Sequence, residues 1–135
     1  MLYISYNANM KLQEFQGSPN RMRRDEARVT LNERGVMQMN MQAFQALGSP
    51  GAVKLFYDEN ELVIALKPDD VRHRNAFRVK PKAPGHTRLI HTQPFCKHFK
   101  IRVECTVLFN DIEIDNEGTM LLSLNNTTRI GRRWN

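Results

Sequence analysis

The sequence predicts a small, mainly β protein with a few short helices. Polar and apolar residues alternate along several short segments, as they do in strands with one buried face. Turn-forming residues, chiefly Asn, Asp and Gly, separate these segments at short intervals. The chain has 135 residues, of which 41% are hydrophobic. This length suits one domain with a single core.

The order of elements is clearest between residues 28 and 68. Residues 28–32 and 36–40 alternate around a Gly-containing turn, which predicts a β-hairpin. A short helix is expected over residues 41–47, because Asn40 is a favourable N-cap and Gly and Pro follow its end. Residues 52–66 then predict a second hairpin with an acidic turn.

The second half of the chain repeats this order with almost no residue identity. Strands are predicted over residues 76–80 and 88–92, and a short helix with Pro near its start follows them. Residues 100–109 alternate well and predict one long strand. A turn at 115–118 leads to a last strand over 119–124. The repeated order predicts two ββαββ units.

These predictions divide the chain into three parts. Residues 1–27 form an arm that is expected to be partly ordered, and residues 28–124 form a single domain with units 28–68 and 76–124. Residues 125–135 form a basic tail.

Several classes of protein are excluded or disfavoured by composition. No apolar run reaches the roughly 18 residues that a membrane span needs, so we expect no membrane association. The first residues lack the pattern of a secretory signal. The two cysteines, Cys96 and Cys105, cannot form a disulfide framework. A cytoplasmic protein with free thiols is therefore expected.

The chain is basic. It has 20 Lys and Arg against 14 Asp and Glu, a formal net charge of +6, and a sequence pI of about 9.7. Thirteen of the cations are Arg, whose planar guanidinium suits phosphate and carboxylate. This balance permits nucleic-acid binding without requiring it.

A set of short motifs follows a fixed order between residues 28 and 68. In chain order they are Val29-Thr30, Arg34-Gly35, Met37, Met39, Ala46-Leu47-Gly48, Val53, Asp58, Ile64, Leu66 and Pro68. Their order and spacing resemble the swapped-hairpin DNA-binding domain of the AbrB, MazE and MraZ group. Asn40 stands where that group usually has proline, and Val36 stands where it often has a basic or polar residue.

The resemblance implies one β-barrel in which the two units interleave within one chain, as a pseudo-dimeric monomer or a homodimer. It also implies a DNA-binding transcriptional regulator or antitoxin-like module, without a cofactor. DNA would be bound by cations of the first hairpins, joined by two from the arm. These residues are Arg28, Arg34, Arg78, Lys80, Lys82 and Arg88, with Arg23 and Arg24.

Two other interpretations stay open. The cations can form a solvated face that binds nothing. The chain can also be a non-catalytic barrel that binds a protein partner or a ligand and has lost its DNA contacts, which Val36 favours. Clustering of Arg34, Arg78, Lys80 and Arg88 on one face would favour DNA, whereas scattering of these four cations would favour the interaction module.

A metal site is a weaker candidate. His91, Cys96, His98 and Cys105 supply the nitrogen and sulfur ligands that zinc prefers. Their spacing does not match the paired ligands of zinc folds, so no metal is expected.

Catalysis is also disfavoured. The sequence contains no nucleophile elbow, phosphate-binding Gly-rich loop, His-Glu-x-x-His motif or EF-hand loop. Asp69 and Asp70 could orient His73 as a general base, but this pattern is more typical of a linker or a helix start. We expect that the protein is not an enzyme.

Overall fold

The computed structural model describes residues 26–130, which form eleven strands and two short helices. The helices are α1 (Met41–Ala46) and α2 (Gln93–Phe99). The strands are β1 (Val29–Leu31), β2 (Val36–Met39), β3 (Ala52–Asp58), β4 (Val63–Asp69), β5 (Phe77–Arg78), β6 (Lys80–Pro81), β7 (Arg88–His91), β8 (Val107–Phe109), β9 (Ile112–Ile114), β10 (Met120–Ser123) and β11 (Thr127–Arg129).

The strands form two antiparallel sheets. The six-stranded sheet has the order β11-β8-β1-β2-β7-β6, and the five-stranded sheet has the order β5-β3-β4-β10-β9. The predicted mainly β fold is therefore confirmed. The predicted closed barrel is not found, because the edge strands of each sheet do not pair with each other or with the other sheet.

Each sheet combines strands from both halves of the chain. The hairpin β1–β2 lies between β8 and β7, and β4 pairs with β10. Met37 lies opposite Ile90 in the first sheet, and Ile64 lies opposite Leu122 in the second. All four side chains are almost completely buried in one hydrophobic cluster. The early hairpin–helix–hairpin segment thus buries its apolar side against the later segment.

The two helices complete the core between the strands. Asn40 caps α1, since its Oδ1 accepts a hydrogen bond of 2.9 Å from the Ala43 backbone N–H. Ala43 of α1 and Phe95 of α2 are both buried. Phe95 and Phe99 make edge contacts with each other, and both rings contact Tyr57 of β3. Within residues 26–130, neither helix is long and apolar enough to cross a membrane.

The predicted strand over residues 100–109 is wrong for most of its length. Only Val107–Phe109 pairs as a strand. Lys100 ends α2 in the left-handed conformation, with φ 58°, and the Ile101 N–H donates to the Cys96 carbonyl at 2.8 Å. Ile101 and Cys105 are buried without strand pairing, so burial produced the alternation that predicted a strand.

The segment predicted as a basic tail contains a strand. β11 pairs with β8, where Thr127 lies opposite Phe109, and extends the six-stranded sheet by one strand. Asn110 strengthens this edge, since its Nδ2 donates to Asn126 Oδ1 at 2.9 Å. The rest of the tail, residues 131–135, and residues 1–25 of the arm lie outside the described residues.

Candidate nucleic-acid interface

The outer face of the six-stranded sheet carries no acidic side chain on its strands. The buried residues of β1 and β2, such as Leu31 and Met37, point to the core, so alternate residues point outward. The strand register places Thr30, Gln38, Leu89 and Lys80 in one outward row. None of the outward residues in the six strands of this sheet is Asp or Glu.

Three of the residues predicted to bind DNA lie on or beside this face. Lys80 and Lys82 are exposed, and Arg28 is half-buried just before β1. The Lys82 ammonium lies 3.5 Å from Gln38 Oε1. None of these three cations forms a salt bridge within residues 26–130. Their charges are therefore not neutralised by this part of the chain.

Asn40 attaches Arg28 to the sheet. The Arg28 N–H donates to Asn40 Oδ1 at 2.9 Å, and the Asn40 N–H donates to the Arg28 carbonyl at 3.0 Å. The side-chain amide of Asn40 also donates to the Glu26 carbonyl at 2.7 Å. One side chain thus caps α1 and fixes the backbone that carries Arg28.

Arg34 lies at the other end of the same sheet, in the turn between β1 and β2. Asn32 Oδ1 accepts hydrogen bonds of 2.9 Å from the N–H groups of Arg34 and Val36, which closes the turn. Gly35 has a φ of 81°, and a Cβ there would lie 3.1 Å from the Cα of Gln93. Only glycine satisfies both the positive φ and the close approach of α2.

The turn and α2 are joined by a buried threonine. Thr92 Oγ1 donates to the Gly35 carbonyl at 2.7 Å, and the Thr92 N–H donates to the same oxygen at 2.9 Å. Beside this contact lies an open depression of about 950 Å³. Its lining includes the charged residues Arg34, Lys97, Lys100, Arg102, Glu33 and Glu104. Cations outnumber carboxylates there by two, so the depression extends the basic surface.

The other predicted residues are not part of this face. Arg88 lies opposite Met39 on the inner side, where its guanidinium lies 4.5 Å from the centre of the Phe44 ring. Arg78 belongs to the five-stranded sheet, opposite Ala52. The prediction that these two join the DNA-binding face is not supported by their positions. Of the four cations whose clustering would favour DNA, only Lys80 lies on this face and Arg34 lies in the turn at its end, so the four are scattered. Arg23 and Arg24 lie outside the described residues.

A signal in the sequence could have located this basic surface. Residues 71–103 contain nine Lys and Arg and no Asp or Glu. This segment supplies β6, β7 and α2. Carboxylates concentrate instead in the β3–β4 turn and over residues 111–117, which belong to the five-stranded sheet and its adjoining loops. The match between charge and sheet is incomplete, because Arg72, Arg74 and Arg78 of this segment lie in or just before β5 of the five-stranded sheet.

The candidate metal ligands do not form a site in the described residues. His91 is exposed on the six-stranded sheet, whereas Cys96 and Cys105 are buried and free. Burial raises the pKa of the Cys96 thiol, and a contact of 3.5 Å with Thr92 Oγ1 opposes this effect. No group of three or more His, Cys, Asp or Glu within residues 26–130 lies close enough together to hold a metal ion.

Asp69 does contact His73, as the sequence suggested. Its Oδ1 accepts the Asp70 N–H at 2.7 Å and contacts His73 Nδ1, while Lys54 Nζ lies 3.5 Å from Oδ2. The hydrogen bond from the Asp70 backbone, followed by the bond and charge of His73, lowers the Asp69 pKa. Within residues 26–130 no side chain hydrogen-bonds the Nε2 of His73, where a general base would need its substrate or nucleophile.

Comparison of the chain with protein-family models, with curated proteins and with solved structures returned no match.

Proposed function

We propose that this chain is a non-catalytic DNA-binding protein, a transcriptional regulator or antitoxin-like module, that binds through the outer face of its six-stranded sheet. The observation that carries the proposal is the absence of carboxylates on the strands of this face, beside Arg28, Lys80 and Lys82, which form no salt bridge within residues 26–130. Contacts between cations and phosphates supply most of the affinity of non-specific DNA binding, and carboxylates would oppose them.

The polar residues of the face have the chemistry for contact with bases. An antiparallel ribbon can enter the major groove, where side-chain amides and hydroxyls hydrogen-bond base edges. Thr30 and Gln38 occupy the middle of the outward row, and the cations lie around them. In this arrangement the cations would bind phosphates, and the central residues would face the bases.

Arg34 would extend the contact beyond the strands. Val36 lies opposite His91, and the turn that carries Arg34 continues from this end of the sheet. The basic depression with Lys97, Lys100 and Arg102 follows beside it. A duplex or a single strand crossing the face would meet cations at both ends.

Strand order supports the proposed relationship to the swapped-hairpin group. In the six-stranded sheet the hairpin β1–β2 lies beside the hairpin β6–β7, and in the five-stranded sheet β3–β4 lies beside β9–β10. The first unit thus contributes its two hairpins to different sheets. In the second unit the predicted hairpin of residues 100–109 with 119–124 does not form, because β8 and β10 lie in different sheets, and β9–β10 lies beside β3–β4 instead. Asn40 caps α1, which is the role expected for it at the position of the group's proline.

The experiment is a salt titration of binding to mixed genomic duplex fragments. For the variant Lys80→Gln/Lys82→Gln, we expect weaker binding and a slope of log affinity against log salt that is smaller by about 1.8, since each phosphate contact contributes about 0.9. The matched control is Arg74→Gln/Arg78→Gln, which removes two exposed cations that lie away from this face and, like Lys80 and Lys82, form no salt bridge within residues 26–130. Absence of binding at about 50 mM salt, or equal slopes for both variants, would contradict the proposal.

A further inference from the structure

The outer face of the five-stranded sheet has an apolar centre. β3 and β4 pair without interruption from Ala52 opposite Asp69 to Asp58 opposite Val63. Phe56, Ala65 and Leu121 therefore form one outward row across β3, β4 and β10. Phe56 is 50% exposed, which is more than any other large hydrophobic residue within residues 26–130. An exposed apolar row in the middle of a sheet is typical of an interaction surface.

The two ends of this face carry opposite charges. Lys54 and Lys67 lie opposite each other on one side of the apolar row. Asp58 lies on the other side, at the start of the turn that also contains Glu59 and Glu61. Lys54 is paired with Asp69, whereas Lys67 forms no salt bridge within residues 26–130. Because Asp69 neutralises Lys54, the charges without a salt bridge within residues 26–130 are Lys67 at one end of the apolar strip and the Asp58, Glu59 and Glu61 carboxylates at the other.

We propose that this face binds the same face of a second copy of the chain. A two-fold axis along the row of Phe56, Ala65 and Leu121 reverses the strand direction in the partner. The lysine end of one copy then lies over the acidic turn of the other, and the contact occurs twice because the interface is isologous. The apolar rows meet in the centre, and Glu113, at the β9 end of the row, stays at the rim.

The size of the face indicates a weak dimer. Four strands about 4.8 Å apart, with about five residues each at a rise of about 3.3 Å, give a footprint of roughly 19 Å by 17 Å. This footprint is smaller than the roughly 800 Å² that each partner buries in a standard interface. We therefore expect a dissociation constant in the micromolar range. The inference does not depend on the proposed DNA binding, since it concerns the opposite sheet.

Sedimentation velocity on the full chain, from about 1 to about 100 μM, tests whether the dimer exists. Wild type should shift from monomer to dimer over this range. Phe56→Lys should raise the dissociation constant about tenfold or more, because it places a charge in the apolar centre. The control is Leu108→Lys, on the outer face of the six-stranded sheet, which should dimerise like wild type. Circular dichroism verifies that each variant is folded.

A charge-exchange experiment tests the two-fold arrangement. Lys67→Glu places a carboxylate over the partner's acidic turn, and Glu59→Lys/Glu61→Lys places two lysines over Lys67, so each variant alone should dimerise less than wild type. Mixed together, they restore opposite charges at both contacts, and heterodimers should form preferentially. A wild-type chain that stays monomeric, a dimer that Phe56→Lys leaves intact, or a mixture without heterodimers would overturn the inference.

Discussion

The two sheets share one hydrophobic core and the same antiparallel pairing, yet their outer faces differ in chemistry. The strands of the six-stranded sheet direct hydroxyls, amides and cations outward, together with Leu89 and Leu108, and carry no carboxylate. The five-stranded sheet exposes an apolar row between lysines and an acidic turn. The inner faces of both consist mainly of Val, Ile, Leu, Met and Phe at the positions that strand alternation directs inward. Folding thus constrains the inner faces alike and leaves the outer faces free to serve different partners.

The largest effect is expected from the core that the two sheets share. Ile64 in β4 and Ile90 in β7 are fully buried, so Ile64→Ala and Ile90→Ala should each lower the free energy of unfolding by about 2–5 kcal/mol. Each substitution should shift one cooperative transition in chemical denaturation followed by circular dichroism. Two separate transitions, of which each variant moved only one, would show that the sheets unfold independently and do not share one core.

A smaller effect is expected when a carboxylate is added to the basic face. Gln38→Glu places a negative charge beside Lys82 in the centre of the outward row. We expect about tenfold weaker DNA binding at low salt, because one favourable phosphate contact is neutralised and a repulsive charge is added. Ser123→Glu adds the same charge to the five-stranded sheet and serves as control. Equal losses for both variants would mean that net charge, not the face, determines binding.

Two substitutions at Asn40 should affect folding stability and DNA binding in opposite ways. Asn40→Ala removes the cap of α1 and the acceptor of the Arg28 N–H, and should lower the free energy of unfolding by about 1 kcal/mol. Asn40→Asp keeps the Oδ1 acceptor of the Arg28 and Ala43 N–H groups and loses only the bond to the exposed Glu26 carbonyl, so it should be more stable than Asn40→Ala, but it adds a carboxylate next to Arg28. Thermal melts and DNA titrations of both variants should therefore rank them in opposite order. The same order in both assays would contradict the role given to Arg28.

Local pattern predicted much of the fold. The two hairpins between residues 28 and 68 follow from period-two alternation and their turns, and α1 follows from its cap and its terminal glycine. Residues 100–106 misled the same reasoning, because the burial of Ile101 and Cys105 outside any strand imitates strand alternation. The strand β11 has no apolar alternation of its own and depends on pairing with β8, which local pattern does not report.

The site was less predictable than the fold. Arg28, Lys80 and Lys82 were predicted as cations of the first hairpins, which the resemblance implied, and the structure places all three on or beside the outer face of the six-stranded sheet. Arg88 was predicted on the wrong face of the sheet. A shift of one residue along a strand moves a side chain from the outer to the inner face, and on the inner face the Arg88 guanidinium lies over the Phe44 ring of α1. Lys97, Lys100 and Arg102 were missed because the depression exists only where α2 packs against the β1–β2 turn. Such contacts depend on tertiary packing.

The most direct test of the account is a titration of the isotope-labelled protein with a DNA duplex, followed by backbone amide NMR. The account predicts shifts in β1, β2, β6 and β7 and in the turn that carries Arg34, with little change in β3, β4, β9 and β10. Shifts centred on the five-stranded sheet, or no shifts at low salt, would contradict it.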